Sequence, residues 1–186
     1  MIAADEIIKR CPAAPIVGAE VGVWFGLTSA RLLRGLPLLH LYMIDWYKVL
    51  EDPADRNKCS VNACIGQSAG QMGNARQGAM DGTTFAGERR TMIVADFLTA
   101  IEAIKAPLHF AFLDADHTYE GTRDAINAYW TLIEEGGFLC GHDYGHPSPD
   151  WGVAEAVHEF SKAQSLPFEL GADGTWFVRK PEGFAP

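Results

Sequence analysis

Short, uninterrupted apolar runs alternate along this chain with stretches whose apolar residues return every three or four positions. The runs are Ile16 to Val23, Leu38 to Ile44, Thr91 to Ala95, Leu108 to Leu113 and Phe138 to Cys140. A run free of polar residues suits a strand covered on both faces, as in a parallel sheet. Ile126, Tyr129, Trp130 and Ile133 instead fall at i, i+3, i+4 and i+7, and Gly136-Gly137 follows, which predicts a helix ended by the glycines. Thr28 to Arg34 predicts a second helix, and Val153, Ala156, Val157 and Phe160 mark a third after Gly152. The tail, Phe168-Glu169-Leu170, then Gly171 to Gly174, then Thr175 to Val178, predicts a terminal hairpin. The pattern predicts an α/β fold with a mostly parallel sheet, right-handed crossovers and a closing antiparallel hairpin.

Residues 47–90 interrupt this rhythm. They are rich in Gly, Ala, Asn and Gln with scattered large apolar side chains, and they predict a helix near 68–80 within loops, as a helical insertion or lid. The whole chain, 1–186, is expected to form a single domain, since 186 residues suit one core. Hydrophobic residues make up 48% and charged residues 21%, too apolar a mixture for disorder. The net charge of −9 and the lack of a basic stripe argue against a nucleic-acid partner. No apolar stretch reaches the ~18 residues of a membrane span. Asp5, Glu6, Lys9 and Arg10 make the first ten residues unlike a secretory leader, so a cytoplasmic protein is expected. The four cysteines form no CxxC pair; Cys59 and Cys64 lack the second pair a metal knuckle needs, and free thiols are expected.

Chemistry gathers where the apolar runs stop. Gly18-Ala19-Glu20-Val21-Gly22-Val23-Trp24-Phe25-Gly26-Leu27-Thr28-Ser29 carries a strand into a glycine-punctuated turn and a helix that Thr28 or Ser29 can cap. It is not the GxGxxG of a pyrophosphate site and suits a ligand without phosphate, unless it is a plain strand–helix turn. Asp45, before Trp46, ends the second run, where a carboxylate can accept both hydroxyls of an adenosine ribose or merely cap a turn. Asp96-Phe97 follows the third run; the acid can accept from an adenine amino group under the aromatic ring, or act as a helix N-cap. Asp114-Ala115-Asp116-His117 follows the fourth run and Gly141-His142-Asp143-Tyr144 the fifth. Ligands in open α/β sheets bind beyond the carboxyl ends of the strands, so these two clusters head the candidates. Trp24, Phe25, Trp46, Tyr144 and Trp151 lie just past the strand ends and are candidates to wall an apolar pocket, whereas Trp130 and Trp176 read as packing. His146 stands on a loop after the second cluster.

The glycine turn, the three strand-end acids and the hairpin together resemble class I S-adenosylmethionine-dependent methyltransferases. Phe112 to Gly121 followed by Gly136 to Tyr144 is similar to the small-molecule branch called methyltransferase family 24, related to catechol-type and macrocin-type O-methyltransferases. The resemblance implies a Rossmann-like three-layer sandwich with a seven-stranded sheet. It implies S-adenosylmethionine as cofactor, with Glu20, Gly22, Val23, Gly26, Thr28 and Ser29 around its methionine part. Asp45 and Trp46 would then serve the ribose side, Asp96 and Phe97 the adenine, and Asp114 would border the cofactor. In metal-dependent relatives the acid ending the fourth strand binds a divalent cation with two residues after the fifth, here Asp114, His142 and Asp143. His142 departs from the carboxylate of catechol-type enzymes; besides Mg2+ or Mn2+ it opens Fe2+ or Zn2+. Without a metal, His117 is the first candidate base and Asp114 the second.

The implied activity is methyl transfer to a small-molecule acceptor, at oxygen, with Asp114, His117, His142 and Asp143 on the catalytic side. A catalytically silent protein that binds S-adenosylmethionine or a nucleotide is the main alternative. An NAD-type oxidoreductase on the same architecture is the other, weakened by the missing third glycine. A homodimer is compatible with either.

Overall fold

Successive strand residues feed two different cores, which makes the fold layered. On β2 (Leu39–Asp45), Leu39, Leu41 and Met43 join one apolar cluster and Tyr42 and Ile44 the other; on β4 (Leu108–Leu113), Phe110 and Phe112 oppose Ala111 and Leu113. The computed structural model describes residues 2–48, 68–105, 107–148 and 151–184. Its seven strands follow the order β3-β2-β1-β4-β5-β7-β6, with β1 at Ile16–Val21, β3 at Arg90–Val94, β5 at Ile133–Gly141, β6 at Phe168–Leu170 and β7 at Trp176–Arg179. β1 to β5 run parallel, and β7 is antiparallel to both β5 and β6. The expected α/β sandwich with a closing hairpin is the fold observed.

Helices α1 (Ile2–Arg10), α2 (Leu27–Gly35) and α3 (Ala69–Gly82) contribute Ala3, Ala4, Ile7, Leu32, Leu33 and Ala79 to one core. Helices α4 (Phe97–Ala100), α5 (Tyr119–Trp130) and α6 (Val153–Gln164) supply the other with Ala100, Ile126, Tyr129, Val153, Val157 and Phe160. A buried aromatic such as Phe110 contributes about 1.5–3 kcal/mol, and Gly18 on the neighbouring strand leaves the room its ring occupies. Trp130 and Trp176 are buried, as packing residues are. Among the described residues no helix is long and apolar enough to cross a membrane.

Two boundaries differ from the periodicity. Helix α5 stops at Trp130, and Ile133, the apparent i+7 residue, opens β5 opposite Leu108. Gly136-Gly137 lies inside β5, where the register slips between the Ile133–Leu108 and Phe138–Phe110 pairs; Gly136 turns there with φ 78° and its N–H reaches the Lys180 carbonyl at 2.9 Å. Pairing with β4 and β7 outweighs the helical spacing. In residues 47–90 the expected helix is α3, started by a Ser68–Gln71 capping box. Residues 49–67 of the expected lid, with Cys59 and Cys64, lie outside the described residues.

Chain order reverses between β1 and β4, which lie side by side with β2 beyond β1 and β5 beyond β4. A crevice opens at such a switch point, past the carboxyl ends of the strands.

Candidate active site

The turn after β1 is shaped by backbone demands. Gly22 has φ 94°, and a Cβ there would overlap the Asp114 carbonyl and stand 2.9 Å from the Ala115 nitrogen. Gly26, at φ 72°, is the N-cap of α2 and lies so close to α3 that a Cβ would stand 2.8 Å from Ala79 Cα. Glycine therefore takes the cap position expected for Thr28 or Ser29. Ser29 turns inward and donates its hydroxyl to Glu20, and both side chains are buried. Trp24 holds φ 51° and Tyr47 φ 49°, left-handed conformations costly for bulky residues and frequent at functional sites.

Asp45 braces this turn. Its Oδ2 accepts from the backbone nitrogens of Val23 at 2.9 Å and Trp24 at 2.8 Å, and its Oδ1 from that of Tyr47 at 2.9 Å. The Tyr47 hydroxyl closes the loop by donating to the Trp24 carbonyl at 2.8 Å. Burial raises the Asp45 carboxyl, and the N–H groups pull back against that rise. No local pattern of residues marks Tyr47 in advance. Trp46 is exposed, with the Lys48 ammonium 4.7 Å from its ring centre. Asp96 is the N-cap of α4 and accepts from the Leu98 nitrogen at 2.9 Å, while Phe97 packs against the core.

Burial pushes Glu20 up to about 8 from 4.5; the Ser29 hydroxyl opposes this, and Asp114 and Asp45 add to it. The folded chain therefore keeps a proton that the unfolded chain releases. That stability is complete below the unfolded value of 4.5 and is lost as pH rises to about 8. Glu20→Gln, neutral at every pH, should flatten the fall in unfolding free energy between pH 5 and 6.5 in urea titrations. An unchanged slope in the variant would contradict a neutral buried Glu20.

On the other side of the switch point, Asp114, His117 and Asp143 each offer a ligand atom, all within 4.8 Å of one another. The buried His117 presents Nε2 to Asp143 Oδ2 at 2.9 Å and to Asp114 Oδ1 at 3.3 Å. Burial works against charge on His117, but hydrogen bonds to Asp114 and Asp143 prevail and raise it to about 9, so it is protonated at neutral pH. Asp143 is also buried in part, yet His117 and His142 hold it well below the usual carboxylate range. The trio expected from the resemblance contained His142 in place of His117. In the structure His142 Nδ1 stands 3.1 Å from Asp143 Oδ1, and its Nε2 faces Asp173 Oδ2 at 3.6 Å. Asp143 has φ 61°, a sharp turn of the chain between the two imidazoles. The bond to Asp143 raises His142.

Local sequence explains the posture of His117. Asp116 accepts from the nitrogen and hydroxyl of Thr118, which in turn caps α5 through the Gly121 nitrogen. Asp116 is thus a structural neighbour, and its carboxyl is raised by burial. The Gly152 nitrogen donates to the His117 carbonyl at 2.8 Å and so docks Trp151 beside the imidazole. The Trp151 ring lies 4.3 Å from the His117 ring, within 11° of parallel, and His146 stacks on Trp151 at 3.7 Å. Of the other aromatic candidates, Trp24 and Phe25 meet edge to face beside the turn. Tyr144 turns away to His158, 2.6 Å from its hydroxyl, and to the Phe168 ring. Asp173 is the other residue the sequence did not single out. It lay in what read as a turn, and β7 pairing against β5 brings that turn to the site.

The family described as Methyltransferase domain matches residues 19–144. No curated protein matches the chain. Among solved structures, the calicheamicin methyltransferase CalS11 superposes with a TM-score of 0.68 at 18% identity, over 95% of this chain and 76% of that one. A putative rRNA-methylase from Clostridium thermocellum gives 0.63 at 14%, over 94% and 92%. A putative methyltransferase from Streptococcus mutans, in complex with SAH, gives 0.61 at 14%, over 95% and 94%. At these identities the likeness shows a shared fold.

Proposed function

Because the chain belongs to methyltransferase-domain family 24, we propose that it moves a methyl group from S-adenosylmethionine to an oxygen of a small-molecule acceptor. One observation carries this reading: the glycine turn of β1 touches the backbone of Asp114, so donor and acceptor halves meet at one switch point. The solved relative with SAH, the spent form of that donor, supports the choice of cofactor. A net charge of −9 favours a small acceptor over a polynucleotide, whose phosphates select basic surfaces.

The cofactor's methionine end would lie along Gly22 to Gly26 above Glu20. Its ribose would face Asp45 and Trp46, and its adenine the Asp96–Phe97 end. Asp45 then has two tasks, shaping the turn and taking ribose hydroxyls. In the transfer, the acceptor oxygen attacks the sulfonium methyl in line; the C–O bond forms as the C–S bond breaks, and its electron pair stays on sulfur. The acceptor proton passes to Asp114, because His117 already carries one between two carboxylates. Trp151 covers one face of His117 and keeps water from it. Alignment of this kind can supply roughly 7–11 kcal/mol.

One imidazole and two carboxylates converging on one point form a donor set that fits a divalent cation. Asp114, His117 and Asp143 would hold it in place of the proton that His117 otherwise shares with the two carboxylates, and when bound it would lower the pKa of the acceptor hydroxyl. Calorimetric titration of S-adenosylhomocysteine tests the cofactor half, with one equivalent per chain as the expected result.

A further inference from the structure

Asp45 has to brace the glycine turn and to hold a ribose, and a carboxylate has few acceptor positions to divide between the two. Its two oxygens offer about four lone-pair sites. Oδ2 is filled by the backbone nitrogens of Val23 at 2.9 Å and Trp24 at 2.8 Å. Oδ1 takes the Tyr47 nitrogen at 2.9 Å. One site is left on Oδ1, contested by the Trp46 N–H, the weakest of the backbone pulls on this carboxyl. Tyr47 keeps its N–H in place because its side chain is tied down. Burial raises the phenol, which therefore stays protonated and donates to the Trp24 carbonyl at 2.8 Å. Asp45, Trp24 and Tyr47 thus close a ring of hydrogen bonds that holds both aromatic residues left-handed, at φ 51° and 49°. Bulky residues keep that backbone only when their surroundings enforce it.

We infer that Tyr47 is a positioning residue that limits Asp45 to one hydroxyl of the cofactor ribose, where a strand-end acid with both oxygens open would take two. The remaining site on Oδ1 accepts one O–H. A second hydroxyl would have to displace the N–H of Val23, Trp24 or Tyr47. The first two belong to the turn along which the methionine part of the donor lies. The Tyr47 N–H is the one that can yield, and the hydroxyl tie to Trp24 prevents it. Loss of that tie lets residue 47 leave the left-handed region and opens the second site. The inference rests on the S-adenosylmethionine reading and narrows it, since the two ribose hydroxyls become unequal.

The experiment is calorimetric titration of the full chain with S-adenosylhomocysteine and with its 2′-deoxy and 3′-deoxy forms. In the wild type one deoxy form should bind about 10- to 100-fold more weakly than the parent, as befits a lost hydrogen bond to a charged acceptor, and the other within about 3-fold of it. In Tyr47→Phe both deoxy forms should fall about 10-fold or more behind the parent, and in Asp45→Ala all three should bind within about 3-fold of one another. Circular dichroism shows that each variant is folded. A merely structural part for Tyr47 would weaken all three ligands alike and leave the single-hydroxyl pattern in Tyr47→Phe, which overturns the inference. Equal losses for both deoxy forms in the wild type also overturn it, because Asp45 then takes two hydroxyls. No loss for either takes the ribose away from Asp45 and leaves the donor reading standing. A folded wild type that does not bind S-adenosylhomocysteine overturns the inference and the donor reading together.

Discussion

Gly22→Ala should destabilise the chain by about 3–5 kcal/mol and abolish cofactor binding. The position needs φ 94°, and an added methyl group would strike the carbonyl of Asp114 and approach the Ala115 nitrogen. A left-handed backbone costs a residue with a Cβ roughly 1–2 kcal/mol. The clash adds to this because its partners are backbone atoms on a strand end, not a side chain that can swing aside. Relief requires β1 and β4 to separate, which strains the 2.7 Å bond from the Asp114 nitrogen to the Val21 carbonyl. Effects of this size are confined to a few mechanisms, and forced backbone strain is one. Gly73 is the internal control. It lies on α3 with nothing within 4 Å of a built Cβ, so Gly73→Ala should stabilise by about 0.4–1 kcal/mol. Urea denaturation of the two variants measures the contrast. A Gly22→Ala protein within about 1 kcal/mol of wild type would mean that the turn does not press on Asp114.

The second large effect concerns the Asp114 side chain. Asp114→Asn keeps the shape and removes the proposed proton acceptor, so turnover should fall about 10²–10⁴-fold, the usual range for a lost general base. S-Adenosylhomocysteine affinity should change by less than about 5-fold, equivalent to about 1 kcal/mol, because the glycine turn meets the backbone of Asp114 and not its carboxylate. The assay is transfer of a tritiated methyl group from S-adenosylmethionine to hydroxyl-bearing compounds in a small-molecule extract. A variant as active as wild type would take the base role from Asp114.

Much of this fold was legible because buried strands write themselves as apolar runs, and the runs at 38–44 and 108–113 fall within one residue of β2 and β4. The strand-end acids were legible for the same reason, since the end of a run locates the edge of the sheet. Ile133 was misread because helical spacing carries no record of pairing with Leu108. Thr28 and Ser29 resembled a cap, but the close approach of α3 leaves only Gly26 the room to be one. The arrangement of the two histidines depends on contacts between distant residues. Gly152 holds the His117 loop from 35 positions away, and Asp173 meets His142 only because the hairpin folds back on β5. Asp tolerates the left-handed backbone better than most residues, but that tolerance alone does not mark position 143 out from the other aspartates. Asp45 and Asp96 were legible as positions, yet whether each shapes a turn or caps a helix is decided by which N–H groups the backbone aims at it.

On the proposed function, the crevice between β1, β2 and β4 binds the adenosyl sulfonium donor. Isothermal calorimetric titration of S-adenosylhomocysteine into the full chain, beside NAD under the same conditions, tests it most directly. Saturable binding of one S-adenosylhomocysteine per chain and none of NAD is expected. Asp45→Ala should bind S-adenosylhomocysteine at least 10-fold more weakly, about 1.4 kcal/mol. A folded protein that binds NAD, or that gives no saturable heat with S-adenosylhomocysteine, would contradict it.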